Sequence, residues 1–303
     1  VTRGLVVVEP GLLTTVQDLG RPGWGAWGVP ASGALDAEAL RLANRLVGNP
    51  EGAAALEITL SGPVLKAIGD LVVAVVGGPF GPAPGEVVPI PDGKTLALAA
   101  GPGAVRAVVA VTGGIDVPKV LGSRSTCVSA RFGGFQGRRL QKGDILAVGE
   151  PAGRPLPGRA NVARPPLGDV VLRAMPGPQE DFFDKEARAA FWSGAWRILA
   201  ESNRMGIRLR GESLGFIETA ALASEGTAPG AVQITAEGQP IVLLAERPTS
   251  GGYPKIATVA EVDLGLLART APGRAVRFER ISVDEARRIL AEREASVRAG
   301  SAR

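Results

Sequence analysis

The densest concentration of reactive groups lies in Pro248–Ala257, which reads Pro-Thr-Ser-Gly-Gly-Tyr-Pro-Lys-Ile-Ala. Tyr253 is the only tyrosine in 303 residues. The pair Gly251 and Gly252 lets backbone approach a ligand closely, and Tyr253 and Lys255 set a phenol and an ammonium beside it. The chain has no histidine and one cysteine, Cys127. Ser-His-Asp and Cys-His hydrolysis are therefore excluded, because both need an imidazole. The common zinc sites need histidine or several cysteines, so no metal site is expected. Proton transfer is left to Asp, Glu, Lys, Tyr253 or a group on the substrate.

Four further runs carry polar chemistry. Thr14–Arg21 holds Gln17, Asp18 and Arg21 together. It reads either as a turn in which Asp18 pairs with Arg21, or as a carboxylate and guanidinium that fix a polar ligand. Ser202–Gly206 offers the amide of Asn203 and the rigid fork of Arg204 beside a glycine, and reads as a ligand contact or a connecting loop. Leu121–Thr126 surrounds Arg124 with the hydroxyls of Ser123, Ser125 and Thr126. That composition suits an anion or a capped turn. Glu57 and Glu225 are single carboxylates within or beside apolar runs, suited to acid–base work or to a structural ion pair. Cys127 has no histidine to activate it and reads as a packed thiol. Asp92-Gly93-Lys94-Thr95 has the tail of a phosphate loop, but the glycine the loop needs is Val88, so a turn is expected.

The elements that must position these groups are short and numerous. With 42 glycines and 24 prolines, about a fifth of the chain punctuates structure, which suits strands joined by turns. Strands are expected at Leu5–Val8, Ala55–Leu60, Leu71–Val76, Thr95–Ala99, Val105–Thr112, Ile145–Val148, Val170–Leu172, Ala231–Ile234, Ile241–Ala245 and Ala275–Phe278. Many are continuous apolar runs, the pattern of strands buried on both faces. Helices are expected at Leu35–Val47, Asp181–Trp192 and from a capping box at Ser282–Glu285, with Ala286, Ile289, Leu290 and Val297 as its stripe and a frayed end at Ala299–Arg303. The Pro-, Gly- and Arg-rich stretch Glu150–Pro166 reads as a linker, giving domains at residues 1–160 and 161–303. Gly113–Lys119 weakly echoes Gly251–Lys255.

Net charge is only +4, with no basic block interleaved with aromatics, so nucleic acid is not an expected partner. No apolar run has the length of a membrane span, and Val1–Glu9 is too short and too soon broken for a secretory signal. A cytoplasmic protein is expected.

In order, the runs Thr14–Arg21, Gly28–Pro30, Ser32–Asp36, Leu46–Asn49, Leu56-Glu57, Leu121–Thr126, Gly137-Arg138 with Gly143-Asp144, Pro176–Gln179, Ser202–Gly206, Ser224–Gly226, Gly230 with Gln233, and Gly251–Ala257 resemble one family. It is the second subunit of the allophanate-hydrolase and urea-amidolyase-related group. That group is also described as biotin-dependent carboxyltransferase-like, and it includes the C component of bacterial 5-oxoprolinase (KipA-like). The likeness runs from about Val8 to Arg269. One departure is Glu246–Ser250, where the family often has a Gln- or Thr-rich lead into Gly-Gly-Tyr.

The resemblance implies a mainly β fold of two cyclophilin-like β-barrel domains with a few short helices. It implies a first-subunit partner of related fold (PxpB or KipI-like) and a barrel-type subunit (PxpA-like). The implied reaction is ATP-dependent opening of 5-oxoproline to L-glutamate, with ATP and Mg bound in the assembled complex and not by a phosphate loop here. The alternatives are a carboxyltransferase-type component that works with carboxybiotin on a partner, and a KipA-like regulator that binds and antagonises its first-subunit partner. At the positions the resemblance marks, residue chemistry gives Glu225, Tyr253 and Lys255 as catalytic. Gln17, Asp18, Arg21, Ser123, Arg124, Asn203, Arg204, Gly251 and Gly252 are expected to bind substrate. The arginines and Lys255 would hold anionic groups, Asn203 and Gln17 would orient an amide, and Glu225 or Tyr253 would move protons.

Overall fold

The computed structural model describes residues 1–158, 160, 162, 167–217 and 222–298. The expected linker Glu150–Pro166 lies partly outside these residues, and the expected frayed end Ala299–Arg303 lies wholly outside. The chain divides into two compact units. Most of the first lies within Val1–Arg21 and Ser32–Pro165, and the second lies within Pro22–Ala31 and Pro166–Ser296.

The first unit holds β1 (Gly4–Glu9), β2 (Leu13–Gln17), α1 (Ala37–Leu46), β3 (Ala55–Thr59), β4 (Val64–Ile68), β5 (Leu71–Gly77), β6 (Val87–Ile90), β7 (Thr95–Ala97), β8 (Arg106–Val111) and β9 (Ile145–Ala147). They form a four-stranded sheet, β7-β4-β1-β9, and a five-stranded sheet, β2-β3-β8-β5-β6. The continuous apolar runs have a direct cause. Along β5, Leu71, Val73 and Val75 join the main core with Leu5, Val7 and Leu65, while Ala74 and Val76 face Leu40, Ala43 and Leu46 of α1. The strand alternates between two apolar environments, so no polar face interrupts its sequence. Helix α1 starts where Asp36 accepts the Ala39 N–H at 2.9 Å, and it ends before Gly48 at φ +76°. The sequence missed β2. Its Thr14, Thr15 and Gln17 read as a polar turn, yet all three are buried and paired against β3, with Thr15 opposite Glu57.

The second unit holds β10 (Val170–Pro176), α2 (Lys185–Ser193), β11 (Trp196–Ile198), β12 (Gly206–Arg210), β13 (Glu225–Gly226), β14 (Ala231–Ile234), β15 (Pro240–Leu243), β16 (Ser250–Gly251), β17 (Lys255–Val259), α3 (Glu261–Ala268), β18 (Ala275–Arg280) and α4 (Val283–Arg298). Seven strands close a barrel in the order β10-β17-β14-β15-β12-β11-β18, sealed by the parallel pair β10 and β18. Closure leaves no free edge in that sheet. Phe191 of α2 stacks on Phe278 at 4.7 Å, and the buried Trp196 indole donates to the Phe191 carbonyl at 3.1 Å. Helix α2 begins four residues later than expected, because Glu180–Phe182 is a short 3₁₀ turn and Asp184 caps the helix through Ala187 N–H. Helix α3 was not expected. Asp263 ties it to β10 by accepting Arg173 Nε at 2.9 Å and its backbone N–H at 2.8 Å.

The fold is therefore mainly β, with few helices and one closed barrel among the described residues. Among those residues no helix is long and apolar enough to cross a membrane. Cys127 is buried, and Asp92–Thr95 forms a turn in which Asp92 accepts the Gly69 N–H. Gly113 and Gly114 both hold left-handed backbone, whereas Gly251 belongs to a strand, so their sequence echo does not extend to conformation.

Candidate functional site

The sequence-predicted residues fall into two groups, one per unit. In the first unit, Leu121 and Gly122 take φ +52° and +84°, and a tight turn links Val120 to Ser123. This turn delivers its polar groups to Asp18. One Asp18 oxygen accepts Ser123 Oγ at 2.6 Å, Ser125 Oγ at 2.5 Å and the Gly20 N–H at 2.8 Å, and the other accepts the Arg124 N–H at 2.6 Å. Ser125 Oγ in turn accepts the Asp18 N–H at 2.9 Å, and Ser123 Oγ accepts the Ser125 N–H at 2.9 Å.

Gln17 is equally engaged. Its amide donates to Thr15 Oγ1 and the Thr126 carbonyl at 3.1 Å, and its oxygen accepts the Gly33 N–H at 3.2 Å. The Arg21 guanidinium donates to the carbonyls of Val120 and Ser125 and lies over the Phe132 ring at 4.8 Å. Arg124 turns its side chain to Asp116 at 2.7 Å and the Val117 carbonyl at 2.8 Å. Glu57 is buried against Arg106 and accepts the Leu35 N–H at 2.7 Å, which fixes the approach to α1. Gln17, Asp18, Arg21 and Ser123 are all buried in this lattice, and its bonds join chain segments about a hundred positions apart.

The second group gathers around β17. A register shift between Val232 and Gln233 inserts one extra residue in β17, and Gln233 comes to lie opposite Lys255. Such a bulge re-aims side chains locally. The turn after β10 grips the same point, since Gly177 N–H donates to the Ile256 carbonyl at 2.9 Å and Gln179 N–H to the Lys255 carbonyl at 3.2 Å. A Cβ at Gly177 would overlap the Lys255 carbonyl, so glycine is required by the close approach.

Lys255 Nζ donates to Glu225 Oε1 at 2.5 Å, and Gln179 Nε2 donates to the same oxygen at 2.7 Å. Gln179 Oε1 accepts the Lys255 N–H at 3.1 Å, so one amide holds both partners. The Lys255 side chain is 5% exposed and that of Glu225 44%, so solvent reaches the pair from the carboxylate side. The hydrogen bonds from Lys255 and then Gln179 hold the Glu225 carboxyl below the usual glutamate range.

Glu225 and Gly251 face each other across the two-stranded ribbon of β13 and β16. A Cβ at Gly251 would stand 2.8 Å from Gln233 Nε2, and one at Gly252 would stand 3.1 Å from the Leu222 carbonyl. Tyr253 is half-exposed, and its carbonyl receives Gln233 Nε2 at 3.5 Å. Lys255, Glu225, Gly251, Gly252 and Tyr253 therefore lie together. Asn203 and Arg204 lie on the loop before β12. Asn203 Oδ1 accepts the Met205 N–H at 2.8 Å, and the Arg204 guanidinium is buried against Glu246 at 2.6 Å.

Gln179, Gln233 and Glu246 were not among the predicted site residues. The first two stood inside runs that carried the family resemblance, which was the signal available for them.

The centre at β17 thus offers an ammonium, an ionised carboxylate, two amides and a phenol beside glycine backbone. That set can hold a small amide or ureide and stabilise negative charge on its carbonyl oxygen. Residues 27–280 match the family described as carboxyltransferase domain, subdomain A and B. The chain belongs to that family. It is 39% identical to the C component of 5-oxoprolinase from Escherichia coli K12 over 289 residues, covering 93% of both chains. It is 34% identical to the C component of 5-oxoprolinase from Haemophilus influenzae over 292 residues, covering 92% of both. Among solved structures it is similar to the K. lactis urea amidolyase, with a TM-score of 0.90 and 30% identity over 99% of this chain and 20% of that one.

Proposed function

We propose that this chain is the C component of an ATP-dependent 5-oxoprolinase, which opens 5-oxoproline to L-glutamate together with partner subunits. The observation that carries this reading is the end-to-end likeness to the corresponding E. coli protein. The lactam of 5-oxoproline is held at β17. Lys255 gives one N–H to Glu225 and has two more to offer the oxygen that gains charge as the amide is activated. Gln233 orients the amide, and Tyr253 closes the open side of the site. Glu225 is ionised at neutral pH, so it serves as a base or as the anchor of Lys255, not as an acid.

The remaining expected substrate contacts are positioning residues on this reading. Gln17, Asp18, Arg21 and Ser123 hold the turn around Arg124, and Arg204 closes the barrel end on Glu246. Among the described residues no three acidic or cysteine side chains converge as a cation site. ATP and Mg are bound in the assembled complex on this reading. The partners are a first subunit of related fold and a barrel-type subunit. Cytoplasmic ATP supplies the reaction.

We also read both units as cyclophilin-like barrels. The closed seven-stranded sheet supports this for the second unit, and the two sheets that share one core support an open version of it for the first.

The test is glutamate release from 5-oxoproline and ATP by this chain mixed with its two partners, each omitted in turn. Turnover that needs all three supports the assignment. An assembled complex without turnover refutes it. The similarity to urea amidolyase favours a second reading, a component of urea carboxylation through carboxybiotin. Turnover of urea that depends on an added biotinyl partner distinguishes it.

A further inference from the structure

The ribbon of β13 and β16 is fixed at one end by Glu225, through Lys255 and Gln179. Its other end is fixed by the segment Glu246–Thr249. Thr227 N–H donates to the Thr249 carbonyl at 3.1 Å, and Thr227 Oγ1 to the Pro248 carbonyl at 2.5 Å. The Arg247 side chain reaches this point. Its Nε donates to the Thr227 carbonyl and its Nη1 to the Leu244 carbonyl, both at 3.3 Å.

These are long bonds to neutral acceptors. Three other sequestered guanidiniums lie against carboxylates, Arg106 on Glu57, Arg173 on Asp263 and Arg204 on Glu246, while that of Arg21 donates to two carbonyls and is covered by the Phe132 ring. Arg247 has no carboxylate partner among the described residues, and its neighbour Glu246 is engaged by Arg204. Burial pushes the Arg247 guanidinium pKa down, the direction expected of a cation that has lost water without gaining an anion. A guanidinium has five N–H donors, so its two carbonyl bonds leave a fork for a planar or tetrahedral oxyanion.

We propose that Arg247 is the anion-receiving residue of this site, taking an oxyanion that enters beside Thr227 and the Gly251 backbone. The occupant is either the carboxylate of the substrate or a phosphoryl group of an activated intermediate. The proposal rests on reading the β17 centre as the substrate site. It adds the group that selects an anionic ligand over a neutral amide.

The first experiment titrates the purified chain by calorimetry with inorganic phosphate and, separately, with 5-oxoproline. At least one binds the wild type, and Arg247→Gln weakens that binding about tenfold to a hundredfold, the loss expected for one charge-assisted contact. Arg247→Lys keeps the charge but not the fork, and recovers only part of it. The lysine variant also guards against misfolding of Arg247→Gln, and the melting temperature of each is recorded.

In the assembled complex the two sources separate. A raised KM for 5-oxoproline with little change in kcat identifies the substrate carboxylate. A lowered kcat with unchanged KM identifies the phosphoryl group. The proposal is overturned if neither anion binds the wild type, or if Arg247→Gln titrates and turns over like the wild type. It is also overturned if Arg247→Gln lowers the melting temperature alone. A wild-type complex inert toward 5-oxoproline removes the functional assignment, and the phosphate titration of the chain by itself still decides the role of Arg247.

Discussion

Asp18 is the residue at which ligand binding and structural support make opposite forecasts, and Asp18→Asn separates them. The carboxylate is buried and accepts four hydrogen bonds, three on one oxygen and one on the other. Asparagine keeps the shape but turns one acceptor into a donor. The least harmful rotamer points its NH2 at the Arg124 N–H, which strands that donor at about 1–3 kcal/mol. The other three bonds lose their charge assistance, at about 1 kcal/mol each or somewhat less. The total is about 4 kcal/mol, or a fall in melting temperature of about 10 °C for a unit of this size. Thermal and urea unfolding of the chain measure the loss. Turnover by the reconstituted complex, well below the melting point, should stay within about tenfold of wild type per folded molecule. A variant that melts within about 3 °C of wild type, yet loses turnover a hundredfold or more, would show that Asp18 meets the ligand and that this reasoning is wrong.

At Lys255, Lys255→Met keeps the buried stem and removes the charge. Its kcat should fall about a hundredfold to a thousandfold, while the urea midpoint changes little because the half-exposed Glu225 regains water. Glu225 also sets a pH signature. Its folded pKa is depressed, so the stabilisation it brings is fully present above the unfolded value of about 4.3 and is lost as pH falls through the folded value. Its carboxylate resonance should therefore titrate below the usual glutamate range in wild type and return to that range in Lys255→Met, and a wild-type midpoint of about 4.3 or above would contradict the pairing. Arg204→Ala should destabilise the second unit by about 3–5 kcal/mol by stranding Glu246, whereas Arg204→Met with Glu246→Leu should recover most of that loss in urea unfolding.

The sequence carried most of the architecture because its glycines and prolines mark where strands end. It failed where burial and polarity disagree. Strand β2 was hidden because Thr14, Thr15 and Gln17 are polar, and only the folded chain supplies their buried partners. Helix α3, Glu-Val-Asp-Leu-Gly-Leu-Leu-Ala, has no clear apolar stripe and a glycine in its middle, so its periodicity is faint. Barrel closure depends on pairing β10 with β18, and no local pattern encodes a contact at that separation. The site divides in the same way. Gly251, Gly252, Tyr253 and Lys255 are neighbours in sequence and stood out together. Glu225 lies thirty positions from Lys255, and Gln179 lies seventy-six away. Their meeting is set by the bulge in β17 and the turn after β10, neither of which composition could show.

The charges at the centre connect these residues to a histidine-free chemistry. A relay that moves protons needs a group poised near neutral pH. Glu225 is displaced the other way, toward permanent ionisation, by the hydrogen bonds it accepts. With Lys255 it forms a pair of zero net charge, which orients a dipole without repelling it. Arg247 beside the ribbon adds a positive charge that donates to neutral carbonyls. Such a field favours a ligand that arrives as an anion, or gains negative charge as it reacts, over one that stays neutral. Opening a lactam whose activation places charge on its carbonyl oxygen is a reaction of that kind. Fixed charges can lower its barrier without an imidazole, because the stabilising groups are already oriented before the charge develops.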